Sequence, residues 1–159
     1  MRQDDFIVSK TDVKGRILYG NRIFIEYSGY SEAELLGSQH NIIRHPDMPR
    51  SVFRLLWDTI QGGEEFFGYV KNLCSDGCYY WVFANVTPSY SPRGDLVGYY
   101  SVRRAPKRSA LELVQPLYRD MLAAESKAGA KHAIEAGTQV LRDRLTQHDT
   151  DYAHFVLGI

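Results

Sequence analysis

Cysteine, net charge and long apolar runs are what this sequence has least of. Its two cysteines, Cys74 and Cys78, are too few for a disulfide framework. With no histidine close to them, they also make a poor zinc site. Nineteen basic residues balance nineteen acidic ones, which argues against a general nucleic-acid or anionic-membrane surface. No apolar run is long enough to span a bilayer, and the start "MRQDDFIVSK" lacks the apolar segment of a signal peptide. The expectation is therefore a soluble, cytoplasmic chain. Catalytic signatures are missing too. There is no glycine-rich phosphate loop after a strand, no Gly-x-Ser-x-Gly elbow and no His-Glu-x-x-His, so the chain reads as a non-enzyme.

Aromatic residues are plentiful. They make up 13% of the 159 residues within a hydrophobic share of 44%, enough for one real core plus an appendage. The pattern gives a hairpin of 6–11 and 16–19, then a short helix capped by Asn21 and ended at Ser28-Gly29. Ser31 and Glu34 form a capping-box pair that opens a second short helix. A longer helix over 49–61 carries Val52, Leu55, Leu56 and Ile60 in one stripe, and Gly62-Gly63 ends it. Strands over 65–73 and 78–87 flank Asp76-Gly77, and a third over 96–103 follows the turn "SPRGD". A two-residue Asp76-Gly77 loop would point the two thiols to opposite faces, whereas a three-residue loop would pair them. Two strands, short helices and a three-strand meander predict an α+β fold: a five-stranded antiparallel sheet with helices on one face. Beyond residue 105, helices over 109–124 and 127–147, the latter weakened by Gly129 and Gly137, precede the tail "DYAHFVLGI". This extension, 106–159, either packs on the domain or forms a dimer interface, and we favour dimerisation.

One stretch concentrates chemistry. "NIIRHPDMPRSVFRLLW" sets Arg44, His45 and Asp47 between two prolines at the mouth of a helix. Catalysts, metal ligands, a phosphate clamp and a surface turn all fit those residue types. No nucleophile or metal constellation accompanies them.

The run "GNRIFIEYSGYSEAELLGSQHNIIRHPDMP", with "KNLCSDGCYYWVFANVTP" and "LVGYYSVR", resembles a PAS domain of the aerotaxis-receptor type over about residues 5–104. The resemblance implies a PAS fold over 1–105 and a sensory domain holding non-covalent FAD to report redox state or oxygen. It also implies a signalling partner, reached directly or through the C-terminal helices, since the membrane anchor and kinase-control regions of a full receptor have no counterpart in this sequence. Phe66 stands where such domains usually carry a tryptophan. The cysteine that LOV photosensors carry in their helical region is missing.

With a PAS fold assumed, strand alternation places Asn72, Val70, Gly68 and Phe66 on the pocket face, with Val82, Ala84 and Val86 beside them. Trp81, Phe83 and Asn85 take the outer face, which suits a C-terminal helix or a second protomer in a homodimer. Asn72 offers both donor and acceptor to a flavin's pyrimidine edge. Pro46 makes a loop of Arg44 and His45, which the resemblance turns toward the cofactor: Arg44 to the pyrophosphate, His45 by stacking or a hydrogen bond. Asp47 is expected to cap the following helix or pair with Arg44, and Trp57 to fill core or touch the ring. The alternatives are a haem-binding gas sensor with His45, less readily His40, as axial ligand, and an interaction module with a packed pocket.

Overall fold

A computed structural model describes residues 2–159. The chain packs as two compact units, residues 1–45 with 59–105 and residues 46–58 with 106–159. The helical extension expected after residue 105 thus takes in a stretch from mid-chain.

The first unit holds the sheet. Strands β1 (Phe6–Thr11), β2 (Ile17–Gly20), β3 (Phe66–Leu73), β4 (Tyr79–Tyr90) and β5 (Leu96–Arg104) lie in the order β2-β1-β5-β4-β3, every neighbour antiparallel. The PAS-type, five-stranded α+β architecture expected from the sequence is present. Helix α1 (Arg22–Ser28) begins at Asn21, whose Oδ1 accepts from Phe24 N and Val8 N while Nδ2 donates to the Phe6 carbonyl. One amide therefore caps a helix and pins it to β1. Gly29 ends α1 at φ 71°, where a side chain would be strained. Helix α2 (Glu32–Leu35) opens with the Ser31–Glu34 capping box. A short 3-10 turn over His40–Ile43 leads to Arg44.

Chain pairing at one end of the β3–β4 hairpin differs from the two-residue loop. Cys74 N donates to Cys78 O at 2.7 Å and Gly77 N to Cys74 O at 3.1 Å, so Ser75, Asp76 and Gly77 form a three-residue loop. Gly77, at φ 87°, supplies the left-handed residue that such a bulged loop needs, and Asp76 Oδ1 accepts from Cys78 N. Strand β4 also runs three residues beyond the expected end.

The second unit is helical. Helix α4 (Arg108–Gln147) is broken at Gly129, whose φ 72° and ψ 169° are not helical. The two limbs fold back on each other, joined by Arg144 Nη2 donating to Asp120 Oδ2 at 3.4 Å. Ala110, Val114, Leu117, Tyr118 and Met121 give the first limb one buried stripe, and Ala133, Gly137 and Leu141 give the second another. The tail expected only as apolar forms helix α5 (Tyr152–Gly158), capped by Asp151. Helix α3 (Arg50–Gln61) buries Val52 and Ile60, with Leu55 and Leu56 half-buried. No helix of the described residues is long and apolar enough to cross a membrane.

Candidate functional site

Alternation along β3 puts Phe66, Gly68, Val70 and Asn72 on the inner face of the sheet, all buried. Their cross-strand partners on β4 are Val86, Ala84, Val82 and Tyr80. The next row brings in β5 and β1, since Ala84 pairs with Arg103 and Arg103 with Ile7. An arginine thus lies mid-sheet on the inner face, and it is only 2% exposed. The outer face carries Phe67, Tyr69 and Phe83 as a ring cluster.

Arg103 has no carboxylate partner among the described residues. Its Nη2 donates to Ser9 Oγ, and its Cζ lies 4.6 Å from the centre of the Phe24 ring. Ser9 Oγ in turn lies 3.3 Å from His40 Nε2, which leaves the hydroxyl proton for a neutral imidazole. The His40 ring stacks on Phe24 at 5.9 Å and 14°. Burial and then the Arg103 charge push His40 down to about 3, so it stays neutral near pH 7. Burial lowers Arg103 to about 10, which leaves it charged, and raises the Tyr80 phenol to about 12, which keeps it protonated.

Arg103 Nε and Nη1 are buried on this face without partners, while the Tyr80 phenol and the Asn72 amide lie against each other with no further partner. Leaving such groups unmatched costs about 1–3 kcal/mol each.

Of the expected site residues, the structure brings Arg44 and Asn72 together through an isolated antiparallel bridge. The Arg44 backbone therefore adds a single rung to the free edge of β3, beside the inward amide. The His45 ring meets Tyr79 edge-on at 5.7 Å and 76°. Phe66 is buried on the same strand as Asn72, 1% exposed. Asp47 and Trp57 belong to the helical unit, Asp47 exposed and Trp57 half-buried. Arg103, Tyr80 and Ser9 were not among the expected site residues, and His40 only as a second-choice haem ligand. Inward parity on a central strand was the available signal for Arg103.

His40 makes a pH prediction. Its folded value lies below the ordinary 6.5, so acid protonates the unfolded chain first. Its neutral burial is without penalty above pH 6.5, and stability falls as pH drops from there toward 3. About 2 kcal/mol is lost by pH 5. Urea melts at pH 7 and 5 check this, and His40→Gln is expected to flatten the difference.

The antiparallel sheet in the order β2-β1-β5-β4-β3, edged by short helices, is the architecture of a PAS module. The chain belongs to the PAS fold family, which matches residues 17–103. It is 39% identical over 119 residues to the aerotaxis receptor of Escherichia coli (strain K12), covering 75% of this chain and 23% of that one. The nitrogen fixation regulatory protein of Klebsiella pneumoniae is 30% identical over 104 residues, covering 65% and 21%. The chain thus spans less than a quarter of the length of these relatives. Among solved structures, a light-oxygen-voltage domain studied with a flavin analogue superposes with a TM-score of 0.62 at 18% identity, over 74% of this chain and 88% of that one. The light-state LOV domain of the photoreceptor Aureochrome1 gives 0.61 at 22%, over 70% and 88%. Both structural likenesses concern the fold alone.

Proposed function

We propose that this PAS domain binds FAD non-covalently against the inner face of its sheet and reports redox state or oxygen without turnover. The observation that carries the reading is the buried Arg103, whose Nε and Nη1 are unmatched, beside the inward Asn72 amide and Tyr80 phenol. The pyrimidine edge of an isoalloxazine is rich in acceptors and suits them, and Gly68 and Ala84 leave that face low enough for a flat ring. Bound flavin would supply the capacity to take up and return electrons. Asn72 orients the ring, Arg103 provides fixed positive charge, and Arg44 and His45, one strand-spacing from Asn72, hold the dinucleotide end. Phe66 remains in this proposal as a shaping residue of the inner face. The resemblance to an aerotaxis receptor, and a fold shared with a light-oxygen-voltage domain studied with a flavin analogue, support the choice. Output passes to a signalling partner, or to a second copy, by way of the C-terminal helices.

The visible spectrum of the purified protein tests this. A yellow protein that bleaches with dithionite and releases FAD on heating is expected, and Asn72→Ala should weaken FAD binding about tenfold, the loss of one or two buried hydrogen bonds. A colourless protein that cannot be loaded with FAD would overturn it. A strong band at the violet edge that vanishes in His45→Ala would instead select haem.

A further inference from the structure

The hairpin tip that β3 and β4 share carries chemistry that flavin binding does not use. The register runs Asn72 opposite Tyr80 and Leu73 opposite Tyr79, and the three-residue loop continues it to Cys74 opposite Cys78. Both cysteines are free. Alternation then puts both sulfurs on the side of Asn72 and Tyr80, next to that pair. A hydrogen-bonded antiparallel pair has its Cα atoms about 5.5 Å apart, within the roughly 4.4–6.8 Å that a disulfide spans. The Cβ atoms of such a pair are about 1 Å wider than a disulfide prefers, so the bond would be strained and easily reduced.

The two thiols are not equivalent. Cys78 is exposed, while Cys74 is half-buried and its Sγ donates to the Tyr27 carbonyl at 3.1 Å. Burial, Asp76 and Cys78 itself all raise the Cys74 thiol above its ordinary value. Ser75 makes the neighbouring contacts, its N donating to Ser28 O at 2.9 Å and its Oγ to Gly29 O at 2.7 Å. The tip therefore holds three successive carbonyls at the end of α1. Tyr27, the first of them, packs its ring on Tyr80 at 5.8 Å.

We propose that Cys74 and Cys78 are a reversible dithiol switch that a small-molecule disulfide, such as oxidised glutathione, closes into a cross-strand disulfide. The exposed Cys78 thiolate attacks the oxidant, forming a mixed disulfide and releasing one glutathione thiolate. Cys74 then gives its proton to solvent and attacks the Cys78 sulfur, releasing the second glutathione. The two protein thiols are oxidised, and one glutathione disulfide is reduced to two thiols. Closure removes the S–H donor from the Tyr27 carbonyl, so the end of α1 loses one of its three ties to the hairpin. The switch stands on the hairpin geometry and is independent of what the inner face binds.

The test is intact-mass spectrometry of the whole chain after incubation with oxidised glutathione. The expected product has lost two hydrogen atoms, carries no glutathione, and returns to the starting mass with dithiothreitol. Cys74→Ser should keep one glutathione on Cys78, because nothing resolves it. Cys78→Ser should react at least tenfold more slowly than Cys74→Ser, because the remaining thiol is shielded. A wild-type chain that retains glutathione, stays reduced under conditions that load Cys74→Ser, or joins two chains would overturn the proposal. The same incubation of colourless and FAD-loaded protein keeps this outcome separate from that of flavin binding.

Discussion

Replacing Arg103 by methionine will make the ligand-free protein more stable and its flavin binding much weaker. The guanidinium is 2% exposed, faces no carboxylate among the described residues, and leaves Nε and Nη1 without partners. One bond to Ser9 and the face of Phe24 are its compensation. Taking such a charge out of water costs several kcal/mol, and replacing buried charge by an apolar side chain of similar reach is often stabilising by about 1–4 kcal/mol. Methionine has the flexibility to fill the space. A gain of about 2 kcal/mol would raise the melting temperature by several degrees. The ligand side moves the other way. Hydrogen bonds to a charged group contribute about 1.5–3 kcal/mol, so FAD affinity should fall about 10–100-fold. Melting curves with and without added FAD read both effects at once. Arg103→Lys separates charge from shape, because an ammonium keeps the charge but loses the planar fork. A methionine variant that is less stable without ligand, and binds FAD as before, would make Arg103 a structural residue. Opposed effects are what distinguish a site kept for binding from one kept for folding.

What the sequence made legible was local. The Asn21 cap on Phe24, the Ser31–Glu34 pair and the left-handed Gly29 act within four residues, and each sits where its local chemistry requires. Strand alternation, a two-residue rule, put Asn72 and Phe66 on the inner face and Phe83 on the outer. The hairpin loop came out one residue longer because Asp76-Gly77 serves two loop types. Gly77 takes the left-handed place in either, and only the Cys74–Cys78 pairing decides. Arg103 was legible only through its inward parity on a central strand, and a charged residue at a strand end is usually solvated. Its burial follows from Ser9 and Phe24, far away in the chain, closing over it. The same holds for the bridge from Arg44 to Asn72, which needs the edge of β3 to be free. The helix start at Arg50 depends on a residue 75 positions later.

That residue, Glu125, carries the second large expected effect. Its buried carboxylate, 5% exposed, accepts from Arg50 N and Ser51 N at 2.9 Å each and from Ser51 Oγ at 2.6 Å. These are the first amides of α3, and Pro49 just before them has no side-chain acceptor to offer. A carboxylate there also meets the positive end of the helix dipole. Removing it in Glu125→Ala strands two buried donors of Ser51 and the part-buried Arg50 N and should cost about 3 kcal/mol, whereas Glu125→Gln keeps one acceptor and should cost about half as much. Gly137 provides the control. A Cβ at that position would meet Glu125 Oε1 at 2.5 Å and press on Ser51 Oγ. Alanine favours a helix over glycine by about 1 kcal/mol, yet Gly137→Ala should destabilise, because the methyl group breaks the carboxylate's contacts. In the Glu125→Ala background the carboxylate is gone and the Ser51 hydroxyl, no longer held by it, can turn away from the methyl group, so the helix preference should then be felt. Urea melts of wild type, both single variants and the double variant form a closed cycle. A coupling of about 1 kcal/mol or more, with the double variant more stable than the sum predicts, is expected. Additive costs would mean that Glu125 and Gly137 act apart, and that the start of α3 does not depend on the fit between them.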